Sequence, residues 1–187
     1  VIERLYGGRL GEARAGDGRE LECAVLFLDI RGFTTLSERL GPAGAFKLLT
    51  AYFSAVAPQI REHHGYIDKY LGDGLLAIFD RFAHAEDSVA CATALVRATS
   101  AYNASATAGE ALAIGIGVAA GRVMLGTVGF PGRLEFSVLG DTVNTASRLQ
   151  DLTKSYDVPI IVSDAIAARA TGVSLRPLGE VRLRGKT

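Results

Sequence analysis

The stretch Leu21–Thr35, LECAVLFLDIRGFTT, changes character at Asp29. Leu21 to Asp29 is a short apolar run dense in β-formers and bounded by charge, the pattern of a buried strand whose end delivers a carboxylate to an edge. From Thr34 the pattern turns helical. Phe46, Leu49, Phe53, Val56 and Ile60 recur at spacings of three and four. They predict a long amphipathic helix with a core-facing stripe, kinked or loosened at Pro58.

Outward from this unit, Gly65 and the triplet Gly72-Asp73-Gly74 bracket two apolar runs, Tyr66 to Leu71 and Leu75 to Phe79, which reads as a hairpin with GDG at the turn. Glu86 to Tyr102 predicts a second amphipathic helix. Ala111 to Ala120 and Val123 to Val128 read as two strands broken by Gly121, Arg133 to Leu139 as another, and Thr142 to Leu152 as a helix. Val158 to Val162 and Val173 to Leu183 supply further strands around a small helix at Asp164 to Ala170. This order predicts a mixed α/β (α+β) layer fold with an antiparallel component. Residues 1–20, rich in Gly and charge, read as a linker or arm before one domain over 21–187.

Composition narrows the functional classes. Apolar residues make up 49% of the 187 residues, so the chain folds rather than staying disordered. Twenty basic residues balance twenty acidic ones, so nothing in the overall charge steers it toward nucleic acid or an anionic membrane, and an anionic ligand must be held locally. Cys23 and Cys91 form no CxxC or Cys/His cluster, which predicts two plain core residues, a reducing, cytoplasmic setting and no zinc site. No run is long and apolar enough to span a bilayer.

Asp29 and Asp73 are the residues that could carry chemistry. An ionised carboxylate beside a core is costly unless paired or bound to a cation. If their strands are neighbours, both point at one spot, and two hard oxygen ligands suit Mg²⁺ or Mn²⁺. The bland alternative, a turn residue and a helix cap, stays open. Gly32 followed by Thr34 and Thr35 at a helix start adds free backbone amides that attract phosphate. GIGVAAG (115–121) has the wrong spacing for a dinucleotide fingerprint, and Gly185-Lys186-Thr187 lacks the upstream glycine of a P-loop.

FLDIRGFTTLSE (27–38), DKYLGDGLLAIF (68–79), IGIGVAAGRVMLGTVG (114–129), FSVLGDTVNTASRLQ (136–150) and VRLRGK (181–186) together resemble, in order and approximate spacing, the class III nucleotidyl cyclase catalytic domain. The resemblance implies a ferredoxin-like βαββαβ core with added strands and helices, a mixed sheet flanked by helices. It implies conversion of ATP to 3′,5′-cyclic AMP and pyrophosphate, with two Mg²⁺ or Mn²⁺ ions per site held by Asp29, Asp73 and the Ile30 carbonyl. Gly32, Phe33 and Thr34 would give backbone donors to the phosphates. Arg122 would contact phosphate, Asn144 and Arg148 the transition state, and Lys186 the triphosphate. Lys69 and Ser137 would read the base: adenine N1 accepts from a Lys donor, whereas guanine N1 carries a hydrogen. Ser137 resembles the Thr or Ser of the subclass that includes bicarbonate-responsive enzymes, making bicarbonate a candidate activator.

The family's sites lie between two domains, with Asp29, Asp73 and Arg122 from one protomer and Lys69, Ser137, Asn144 and Arg148 from the other, so a homodimer with two shared sites is expected. The chain stops before the family's final strand and reads as the catalytic part of a larger protein, with membrane attachment of that parent left open. Alternatives are a guanylyl cyclase, which Lys69 opposes, and a catalytically inactive nucleotide-sensing dimerisation domain.

Overall fold

Strand β1 (Gly18–Ile30) lies inside a six-stranded sheet, with β3 (Gly74–Phe79) antiparallel on one side and β4 (Ile114–Phe130) antiparallel on the other. The computed structural model describes residues 14–105, 111–130 and 133–181. The strand order is β2-β3-β1-β4-β5, with β2 at Tyr66–Leu71 and β5 at Arg133–Leu139. The short β6 (Ile160–Val162) runs parallel to β4 beside residues 116–118. Helix α1 (Phe33–Val56) and the short α2 (Pro58–Glu62) connect β1 to β2, and α3 (His84–Ser105) connects β3 to β4. The order β4-β1-β3-β2 with those crossovers is the expected ferredoxin-like βαββαβ core. Helices α4 (Asp141–Ser155) and α5 (Asp164–Ala167) follow it.

Alternation along β1 divides the interior in two. Ala24, Leu26, Leu28 and Ile30 pack with Tyr52, Val56, Ile60 and Leu95 from α1, α2 and α3. Cys23 and Val25 pack with Ala146 and Leu149 of α4 on the opposite face. Both cysteines are fully buried and free, and burial pushes each thiol up to about 12, so they behave as core residues. Helix α4 presses close on β4 because β4 lacks side chains there: a Cβ on Gly117 would lie 2.1 Å from the Ala146 carbonyl oxygen, and one on Gly121 2.6 Å from Thr142 Oγ1.

Several elements differ from expectation. β1 starts at Gly18, so the last residues of the expected arm belong to the sheet. β4 is one continuous strand, because Gly121 stays in the ladder opposite Cys23 and its missing side chain makes room for α4 instead of breaking the strand. The long helix kinks at Gly41 (φ +67°), ahead of Pro42, whereas Pro58 opens α2, where its missing N–H is harmless. Phe46 is 73% exposed. With Leu49, Phe53, Tyr66, Ile67 and Tyr70 it lines an apolar groove of about 880 Å³, while Tyr52 carries the burial and its hydroxyl meets Thr99 Oγ1 at 2.9 Å. The expected strand after Val173 is irregular through Val181, lying across a cavity of about 1040 Å³ over α4 and β6. Among the described residues no helix is long and apolar enough to cross a membrane.

Candidate active site

Asp29 pairs with Gly74 on one side and Gly115 on the other. Gly74 follows a two-residue turn, Gly72-Asp73, in which Gly72 takes φ +65°. A Cβ on Gly74 would sit 2.6 Å from the Leu28 carbonyl and 3.1 Å from Asp29 Oδ1, so the glycine keeps a cradle open beside the carboxylate. The two acids are therefore neighbours, as expected. Burial, then the charges of Asp73 and Asp151, push the Asp29 carboxyl up to about 6. Such a paired, half-desolvated site gains from a cation, and its hard oxygens fit Mg²⁺ or Mn²⁺. Among the described residues no group of three or more His, Cys, Asp or Glu forms, so a cation here would complete its shell from water and ligand oxygens.

Downstream, Gly32 adopts φ +70° and caps α1, its carbonyl accepting the Leu36 amide at 3.2 Å. That leaves the amides of Phe33, Thr34 and Thr35 at the helix start without intrahelical acceptors. Arg31, which the sequence reading passed over, donates to the carbonyls of Thr153 (2.9 Å) and Val158 (2.7 Å). It ties this loop to the C-terminal end of α4, where the helix dipole favours a cation.

Two pairs back from the turn of the same hairpin, Lys69 on β2 reaches across to β5, although the two strands are opposite edges of the sheet. Its Nζ donates to Glu135 Oε1 at 3.2 Å and to the Phe136 carbonyl at 3.3 Å. The sheet is thus curled enough for its edges to meet, and Lys69 and Ser137 occupy one neighbourhood. Asp68 Oδ2 lies 3.7 Å from the same ammonium. Neither Asp68 nor Glu135 was singled out from sequence. Strict alternation puts Asp68 on the face opposite Lys69, and no sequence signal announced that β2 and β5 approach.

Asn144 and Arg148 share one side of α4 by their spacing. Thr142 anchors the start of that helix by donating to the Arg122 carbonyl at 3.0 Å, while Thr153 lies over Gly115, the strand neighbour of Asp29. Nine residues of helix separate Asn144 from Thr153, about 14 Å along the axis. Asn144 and Asp29 thus stand toward opposite ends of α4. Arg122 requires a correction. It pairs with Glu22, seven residues along β1 from Asp29, and its exposed side chain meets Glu20 at 3.4 Å. Seven strand residues span about 23 Å, so Arg122 cannot serve a site with Asp29 of its own chain. The β4 residue beside Asp29 is Gly115, which has no side chain to offer. Lys186 lies outside the described residues.

Comparison with known proteins agrees with this geometry. The family described as the adenylate and guanylate cyclase catalytic domain matches residues 18–187. An adenylate cyclase of Anabaena cylindrica is 34% identical over 172 residues, 87% of this chain and 34% of that protein. The crystal structure of the guanylyl cyclase Cya2 superposes with a TM-score of 0.79 at 31% identity, covering 92% of this chain and 89% of that one. The adenylyl cyclase CyaB from P. aeruginosa gives 0.75 at 25% identity, covering 91% of each. The chain spans about a third of the length of the curated adenylate cyclase it matches. With a cradle of two carboxylates at the end of the central strand, a ferredoxin-like core around it and a family match over nearly the whole sequence, the chain belongs to the class III adenylyl and guanylyl cyclase catalytic domains.

Proposed function

We propose that this domain is an adenylyl cyclase that converts ATP to 3′,5′-cyclic AMP and pyrophosphate at sites shared between two copies. The observation that carries the choice of base is the Lys69 ammonium, held beside Ser137 by Phe136 and Glu135. An ammonium donates to adenine N1 and cannot accept the N1 hydrogen of guanine. A guanylyl reading is favoured by the likeness to Cya2 and opposed by Lys69.

The ribose 3′-oxygen attacks the α-phosphorus, its proton leaves to solvent or base, and the bond to the pyrophosphate oxygen breaks. Asp29, Asp73 and the Ile30 carbonyl would hold two Mg²⁺ or Mn²⁺ ions, which when bound supply positive charge at the attacking and leaving oxygens. The amides at the start of α1 hold the terminal phosphates, with helix polarity favouring their charge. Asn144 and Arg148, from the partner's α4, stabilise charge developing on the α-phosphate. The spread of Asp29 and Asn144 along α4 supports this division between copies. So do the exposed Val128 and Phe130 on the β4–β5 ribbon, apolar surface suited to the groove at Phe46 and Tyr70 of a second copy.

Purified protein incubated with ATP or GTP and with Mg²⁺ or Mn²⁺ should yield cyclic AMP as the main product by chromatography. Cyclic GMP in excess would replace the adenylyl reading, and no cyclic product from a folded dimer would leave the inactive-domain reading. Adding bicarbonate to the same assay tests it as activator.

A further inference from the structure

Asp68 is the most anomalous ionisable group near the base-reading lysine. Its side chain is fully buried, and neither oxygen has a hydrogen bond. The register of β2 against β3 slips between Ile67 and Lys69, so Asp68 is the extra residue of a bulge. A bulge breaks the alternation that would otherwise send adjacent side chains to opposite faces. Here it leaves Asp68 Oδ2 at 3.7 Å from Lys69 Nζ, in ion-pair range. A buried carboxylate without donors persists only beside a compensating cation. Glu135 contacts the same ammonium but differs in kind: its side chain is 74% exposed, and a solvated pair of that sort is weak and exchangeable.

We propose that Asp68 is a positioning residue, a buried counter-ion that keeps the Lys69 ammonium aimed at the purine edge, while Glu135 occupies the donor that the base takes over on binding. The inference rests on the adenylyl reading of Lys69. An ammonium has three donors. The Phe136 carbonyl takes one, Glu135 another, and Asp68 lies to the side. Exchange of Glu135 for purine N1 leaves the other two contacts in place, so the long lysine side chain is ordered before the nucleotide arrives. Burial raises the Asp68 carboxyl above its ordinary range, and the adjacent Lys69 ammonium opposes that rise without cancelling it.

The test uses the full chain with Asp68→Asn, Glu135→Gln, Lys69→Met and the double variant Asp68→Asn/Lys69→Met. Dissociation constants for 3′-deoxy-ATP and 3′-deoxy-GTP, which lack the attacking hydroxyl, are measured beside kcat and KM for ATP and GTP. Asp68→Asn should lower the preference for ATP over GTP about five-fold, through KM and the dissociation constant, with kcat for ATP changed less than about two-fold. Glu135→Gln should tighten 3′-deoxy-ATP. Adding Asp68→Asn to Lys69→Met should change nothing further, because the residue acts through the lysine. An unchanged preference in Asp68→Asn, an equal fall in kcat with both nucleotides, or additive losses in the double variant would overturn the proposal. Should Asp68→Asn fail to fold, unaltered or weaker 3′-deoxy-ATP binding by Glu135→Gln would overturn it. If the wild type makes no cyclic product, the catalytic reading falls, while the binding constants still decide the role of Asp68.

Discussion

Lys69 and Glu135, sixty-six residues apart and on opposite edge strands, meet at 3.2 Å. This contact makes the hairpin β2–β3 part of two neighbourhoods at once. Its turn presents Asp73 to Asp29, while its first strand presents Lys69 to Glu135 and the Phe136 carbonyl, next in sequence to Ser137. One short hairpin therefore contributes to the metal-binding end of one proposed site and the base-reading end of the other.

Protonation of Asp29 should be visible in stability. Its carboxyl ionises near 6 in the folded chain against an ordinary 3.8. Because the folded value is raised, the neutral form is favoured by folding; stability is highest below 3.8 and falls as pH rises toward about 6. The shift corresponds to about 3 kcal/mol at most, reduced by solvent at a partly exposed group. Asp29→Asn should raise Tm in chelator at about pH 8, leave it unchanged near pH 3.5, and abolish turnover. Mn²⁺ should raise the wild-type Tm only. Identical melting of wild type and variant at the higher pH would contradict the assignment.

Gly117→Ala should cost about 3 kcal/mol or prevent folding, since the new methyl meets the backbone of α4, which has no flexible end to yield. Urea denaturation reads this directly. A midpoint equal to that of wild type would mean that α4 does not sit on β4 this closely.

Shared sites predict rescue by mixing. Asp29→Ala and Arg148→Ala homodimers should each be dead, whereas co-expressed equal amounts should recover about a quarter of wild-type activity, because half the dimers are mixed and each has one intact site. With heterodimers demonstrated by tagging, activity no higher than that of the single variants would place each site within one chain.

Base exchange is constrained by the surroundings of Lys69. Lys69→Glu with Ser137→Cys swaps the donor for an acceptor but sets the new carboxylate against Glu135 and Asp68. The double variant should therefore lose ATP activity and gain little with GTP. Adding Glu135→Gln should improve kcat/KM for GTP about ten-fold over the double variant. No gain from the third substitution would show that Glu135 does not face the base.

The legible parts of the molecule were those written in local pattern. AVLFLD announced a buried strand with a terminal acid, GDG announced its turn, and alternation placed Asp29 beside that turn once β1 and β3 were neighbours. What escaped depends on contacts between distant segments. Gly121 looked like a break because only α4, docking on it, shows why a side chain is missing. Arg122 followed a glycine in the right motif, yet the antiparallel register carries it seven residues away from Asp29. Asp68 was hidden by a bulge, and the meeting of β2 with β5 arises from the curl of the whole sheet.

The central position of β1 also sets a schedule for synthesis. Ala24 pairs with Phe79 and with Ala120, so the apolar run around it leaves the ribosome long before either neighbour exists. Contacts of such separation form slowly, because the intervening chain must first be brought together. Even after β3 has emerged to pair one side, Ala24 to Leu28 keeps its other edge open until β4 arrives, and an open edge of high β-propensity is the sort of segment that recruits another nascent chain. Ribosome-bound chains from which β4 has not yet emerged should therefore engage chaperones that the released chain, with β4 paired to β1, no longer needs.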